Sequence, residues 1–112
     1  MICTEWLPCF RFVPYIYRTK DFLTWEIGIH NPVLMFDDAM DRTPAEGFPF
    51  TEEEQEYIAN FLNTNNSDVD LCEYEGKTYI YYNAGDQGST GVCCKAVYDG
   101  SQAAFLKAFF DE

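Results

Sequence analysis

The chain has 112 residues, a length that allows one domain with a modest core. A hydrophobic fraction of 47% and an aromatic fraction of 18% exclude a disordered chain. Lys and Arg number 7 against 19 Asp and Glu, and the resulting net charge of -12 excludes nucleic acid and disfavours an anionic membrane, leaving neutral sugars, cations or basic protein surfaces as partners.

Residues 2–7 read as a strand stopped by Pro8, and 9–17 resume it. Pro14 marks an edge or a bulge there, because proline has no amide to give to a ladder. A tip at Lys20-Asp21 turns the chain into a partner strand over 23–29, closed by Asn31-Pro32. The acidic stretch 36–50, with Pro44, Gly47 and Pro49, reads as an irregular surface loop. Thr51 and Glu54 then make a capping box, and Tyr57, Ile58, Phe61 and Leu62 put one apolar face on the helix that follows. Residues 63–67 read as a polar linker. Two strands, 69–74 and 78–83, flank a Glu75-Gly76 turn; a loop with three glycines over 85–91 leads to a third strand, 92–98. After an Asp99-Gly100 turn, Ser101 caps a last helix whose stripe is Phe105, Leu106, Phe109 and Phe110. The fold class is mainly β, antiparallel, with two short peripheral helices. Tyr15-Ile16-Tyr17 and Tyr79-Ile80-Tyr81 occupy comparable strands, a faint internal repeat.

Taken in order, these segments resemble the C-terminal end of five-bladed β-propellers of the arabinanase/xylosidase and levanase/invertase clan. The segment Arg18-Thr19-Lys20-Asp21-Phe22-Leu23-Thr24-Trp25-Glu26 is similar to that clan's recurring Ser/Thr-x-Asp-Leu-x-x-Trp hairpin, and Asn31-Pro32-Val33-Leu34 follows it. Asn66-Ser67-Asp68-Val69-Asp70 and Gly76-Lys77-Thr78 resemble the start of a closing blade. Tyr98-Asp99-Gly100 with Phe105-Leu106 and Phe109-Phe110 resembles the tail after it. The resemblance implies one to two propeller-like blades in a single partial domain: blade-like hairpins over 1–35, loop and helix over 36–67, closing blade and terminal helix over 68–112. It also implies that Asp21 closes its turn and that Trp25 packs between blades. Catalysis in the clan rests on three carboxylates supplied by earlier blades, and none of them is carried over onto a residue here.

The substrate-binding candidates are Asp68, Asp70, Asp86, Gln87 and Trp6, with no catalytic residue assigned. Asp68 and Asp70 alternate on a strand, so both are expected on one face, turned toward a sugar hydroxyl and close enough for one pKa to rise. A plainer alternative is a strand-entry turn in which Ser67 and Asp68 bond to nearby backbone. Asp86 and Gln87 either meet sugar hydroxyls at a blade mouth or belong to a solvated loop. Trp6 offers an aromatic face to a pyranose ring. His30, the one histidine, is accompanied by no nucleophile motif. Cys3, Cys9, Cys72, Cys93 and Cys94 lack metal-ligand spacing and read as small apolar fillers in a reducing compartment, so no metal or cofactor is expected. No signal peptide or membrane-length apolar run is visible, which makes cytoplasmic the default location. The functional expectation is a glycosidase-like propeller piece that binds carbohydrate or completes a cleft without catalysing alone. The alternatives are an interaction module that self-associates or joins a companion propeller chain, and a glycoside hydrolase completed by other copies.

Overall fold

The computed structural model describes residues 1–7, 11–86 and 88–110. Cys9 and Gln87 lie outside the described residues. The architecture is mainly β: two three-stranded antiparallel meanders joined by an irregular segment and one helix, with a short helix at the end.

The first sheet runs β1 (Ile2–Leu7), β2 (Arg11–Thr19), β3 (Trp25–Ile27). Pro14 sits in its middle strand, paired opposite Thr4, yet it costs no ladder bond. Even-numbered β2 residues turn their polar groups away from β1, and β3 reaches only Tyr17 to Thr19. Pro14 therefore lies at a local edge, where its carbonyl accepts from Val33 N at 2.7 Å. Asn31 fills the same edge, its Oδ1 accepting from Ile16 N and its Nδ2 donating to the Ile16 and Gly28 carbonyls.

The strand expected over 23–29 is shorter, because the hairpin tip takes its first residues. Asp21 Oδ1 accepts from Leu23 N and Thr24 N, while Thr19 Oγ1 accepts from Phe22 N at 2.9 Å. Asp21 closes the turn, as the resemblance implies. Phe22 is held at φ 60, a left-handed backbone that a bulky side chain rarely adopts. Trp25, expected in a packed interface, is 41% exposed and meets Phe22 edge-on instead.

The second sheet runs β4 (Asn65–Tyr74), β5 (Lys77–Gly85), β6 (Gly91–Tyr98). Glu75 at φ 49 and Gly76 at φ 76 form the two-residue turn with positive φ at both positions that suits the twist of a hairpin. The strand starts at Asn65, so the linker expected over 63–67 is partly strand: Asn65, Asn66 and Ser67 pair with Gly85, Ala84 and Asn83 and are buried.

Between the sheets, α1 (Glu52–Asn60) carries both arms of the expected capping box, Thr51 Oγ1 accepting from Glu54 N and Glu54 Oε2 from Thr51 N. Only the end of its apolar face is covered: Phe61 is buried, whereas Tyr57 and Leu62 are exposed. The final helix α2 (Gln102–Lys107) is capped by Ser101 and continues as a 3-10 turn, Ala108–Phe110. One core cluster unites the two sheets with this tail: Ile16, Val33, Ile80, Phe105 and Phe110. Ile16 and Ile80 are the central residues of the two Tyr-Ile-Tyr strings, each in the middle strand of its sheet. Cys72 and Cys93 are exposed, contrary to their reading as fillers, because each lies on the face of the second sheet turned away from this core.

Candidate functional site

The candidate site grows from a defect at the start of β4. The register advances from Ser67 opposite Asn83 to Asp70 opposite Tyr81, three positions on β4 for two on β5, so one extra residue bulges out. Asp68 takes up the bulge at φ 56. Its amide donates to Thr4 Oγ1 of β1 at 3.4 Å, and its Oδ2 accepts from Ser67 Oγ at 3.0 Å. The bulge thus carries an exposed carboxylate to the seam between the two sheets. Bulges that re-aim one side chain are common beside functional sites.

Thr4 ties the backbone of the bulge to a strand face that carries an aromatic residue. Thr4 and Trp6 are two residues apart on β1, so their side chains leave the same face of the sheet about 7 Å apart. Both are exposed, Trp6 to 59%. The Asp68 backbone is therefore tied to the strand face that also carries Trp6. Asp70 is exposed opposite Tyr81, with its Oδ1 accepting from Leu71 N. The strict alternation that would put Asp68 and Asp70 on one face does not hold across the bulge.

Below Asp68 lies a row of buried polar side chains that linker chemistry does not account for. Asn66 donates to the Leu34 carbonyl, and Asn63 Oδ1 accepts from Gly85 N. Asn65 is 1% exposed, and neither its Oδ1 nor its Nδ2 has a hydrogen-bond partner among the described residues. An unpaired buried amide costs on the order of 1–3 kcal/mol, so Asn65 counts against stability in this site.

Asp86 follows Gly85 at the same end of the sheet, but its carboxylate is already engaged. Oδ1 accepts from the amides of Gly88, Ser89 and Thr90, and Oδ2 accepts from Ser89 Oγ. Those bonds, the Thr90 and Gly88 amides foremost, hold its pKa well below the usual carboxylate range. It closes the loop, with little acceptor capacity left for a ligand. Gly85, at φ 138, permits that closure: a side chain there would run into the Thr90 carbonyl oxygen.

Sequence reasoning missed Thr4 and, for Asn65, the burial of an oxygen-bearing side chain inside a strand. A threonine inside a strand gives no signal, and Asn65 was hidden in a polar run that hydropathy reads as a linker. Among the described residues no cluster of three or more His, Cys, Asp or Glu is placed to hold a metal ion, and no helix is long and apolar enough to cross a membrane. No family model matches the chain, nor does any curated protein or solved structure.

Proposed function

We propose that the chain is a carbohydrate-binding part of a glycosidase-like propeller, forming one wall of a sugar cleft without performing hydrolysis on its own. The observation that supports the reading is the bulge: it leaves the Asp68 carboxylate exposed at the sheet seam, while the Asp68 backbone amide donates to Thr4 on the β1 face that bears Trp6. A carboxylate oxygen takes short, charge-assisted bonds from sugar hydroxyls, while an indole face covers the apolar face of the ring. Two successive antiparallel meanders with matching Tyr-Ile-Tyr centres also support a repeated unit, each with three strands where a propeller blade has four.

The test is titration of the protein with neutral arabinan, xylan, fructan and galactan oligosaccharides, followed by tryptophan fluorescence and calorimetry. Wild type is expected to bind one of these classes. Asp68→Ala and Trp6→Ala are each expected to weaken binding at least tenfold with the circular dichroism spectrum unchanged. Absence of binding by wild type, or binding by both variants as tight as that of wild type, removes the reading.

A second reading, an interaction module, is favoured by the apolar surface outside the site. Phe22, Leu23, Trp25, Ile27 and Ile29 lie along β3 and the turns on either side of it and are between 41% and 88% exposed. Contiguous apolar surface of this kind marks contact with another protein surface.

A further inference from the structure

β6 is the outer strand of its sheet and, among the described residues, pairs only with β5. The register determines which of its amides stay outside the ladder. A two-residue turn makes Tyr74 and Lys77 a hydrogen-bonded pair, so odd-numbered β5 residues bond to β4 and even-numbered ones to β6. Cys93, Lys95 and Val97 stand opposite Asn83, Tyr81 and Tyr79, so their N–H and C=O groups face away from the sheet. Gly91 has the same parity, and its N–H does reach outward, to Tyr57 Oη at 3.3 Å.

The first half of this edge borders a cavity of about 1030 Å³. Its far wall is the 40–46 segment, Phe48, Phe50 and one side of α1. Cys93 and Cys94 leave opposite faces of β6, yet both line the cavity, which therefore meets the strand edge-on. Asp41, Glu46, Glu53 and Glu54 stand around it against Arg42 and Lys95, and Arg42 is already paired with Asp38 at 2.8 Å. The surroundings are acidic, as is the chain at -12.

We propose that this edge accepts, as a fourth strand, an extended segment of a partner chain rich in Lys or Arg. Strand addition supplies main-chain bonds from the outward amides and carbonyls, and the flanking acids select the sign of the guest. A second copy of this chain fits poorly, because two charges of -12 would be brought together.

The probe is a fluorescein-labelled octapeptide alternating Lys and Val, with a Glu-Val octapeptide as control. The Lys-Val peptide is expected to bind at least tenfold tighter, more weakly at high salt, and to slow hydrogen exchange at Cys93, Lys95 and Val97. Lys95→Pro removes one outward amide without breaking a bond to β5, so at least a tenfold loss of peptide affinity is expected with sugar binding unchanged. Should that variant not fold, exchange in the wild type decides alone. Equal binding of both peptides, or no slowing at the three amides, overturns the proposal. Slowing on concentration of the protein without peptide also overturns it, by assigning the edge to a second copy.

Discussion

At the residue scale, two hydrogen-bonded groups make the pH response of the fold predictable. Tyr17 Oη donates to Glu5 Oε1 at 2.6 Å across β1 and β2, and this bond, with burial and the Glu5 charge, pushes the phenol up to about 12. A folded pKa raised above the unfolded value means stability that is complete below about pH 10 and lost as pH rises toward 12. Ultraviolet titration is expected to show Tyr17 ionising late, as Tyr82 also does because burial raises its phenol, and Glu5→Gln should bring Tyr17 back while Tyr82 stays late. Asp86 has the opposite sign. Its lowered pKa gives stability that is present above about pH 3.9 and lost as pH falls below that value. Asp86→Asn should therefore flatten the acid limb of a stability-versus-pH curve measured by urea unfolding. Asn65 gives a third residue-scale outcome. Because both of its amide atoms are unpaired in a buried site, the near-isosteric Asn65→Leu is expected to leave stability unchanged or raise it by about 1 kcal/mol. A loss of several kcal/mol in the same unfolding measurement would mean that the amide is satisfied after all.

At the element scale, the two meanders depend on equivalent residues. Ile16 and Ile80 are 2% and 3% exposed and share one core cluster. Either change to Ala is expected to cost about 2–5 kcal/mol, and because the residues belong to one cluster the double variant should depart from additivity in urea unfolding. Independent effects would instead mean two separately stable sheets. These elements were legible in the sequence wherever local chemistry was unambiguous. Thr51 and Glu54 announced α1, Glu75-Gly76 the second hairpin, and the spaced phenylalanines the terminal helix. Legibility failed where a tertiary contact overrode local pattern. Asn65-Asn66-Ser67 looks like a linker until β5 pairs with it, and Asp68 looks like an alternating strand residue until the bulge inserts one position. The candidate site was readable only as a set of residue types. The link from Asp68 through Thr4 to the Trp6 face joins positions 64 residues apart and has no local signature.

At the scale of the whole molecule, surface and charge both work against closure. A compact monomer of 13.0 kDa is expected to expose about 6,300 Å², whereas this chain exposes 7643 Å². Its radius of gyration is 15.4 Å against about 13 Å for a compact chain of this length. The excess area, about 1,300 Å², exceeds the share that one partner contributes to an ordinary specific interface, roughly 800 Å². Charge adds repulsion, since 19 acidic residues face 7 basic ones over this enlarged surface. Specific ion pairs oppose it: Arg18 grips Glu26 through two nitrogens at 2.7 and 2.9 Å, and Arg42 holds Asp38. Exposed pairs of this kind contribute about 0–1 kcal/mol each, while the uncompensated charges act together over the Debye length. Raising the ionic strength from about 0.01 M to about 0.15 M shortens that length from about 30 to about 8 Å, which relieves more repulsion than it removes attraction. The melting temperature of the isolated chain is therefore expected to rise with sodium chloride over this range. A fall would show that the Arg18 and Arg42 pairs outweigh the net charge, and the electrostatic case for a basic partner would lose its footing. With the Lys-Val peptide bound, the same salt titration should show a smaller rise, because the guest already neutralises part of the acidic surface that salt would otherwise screen.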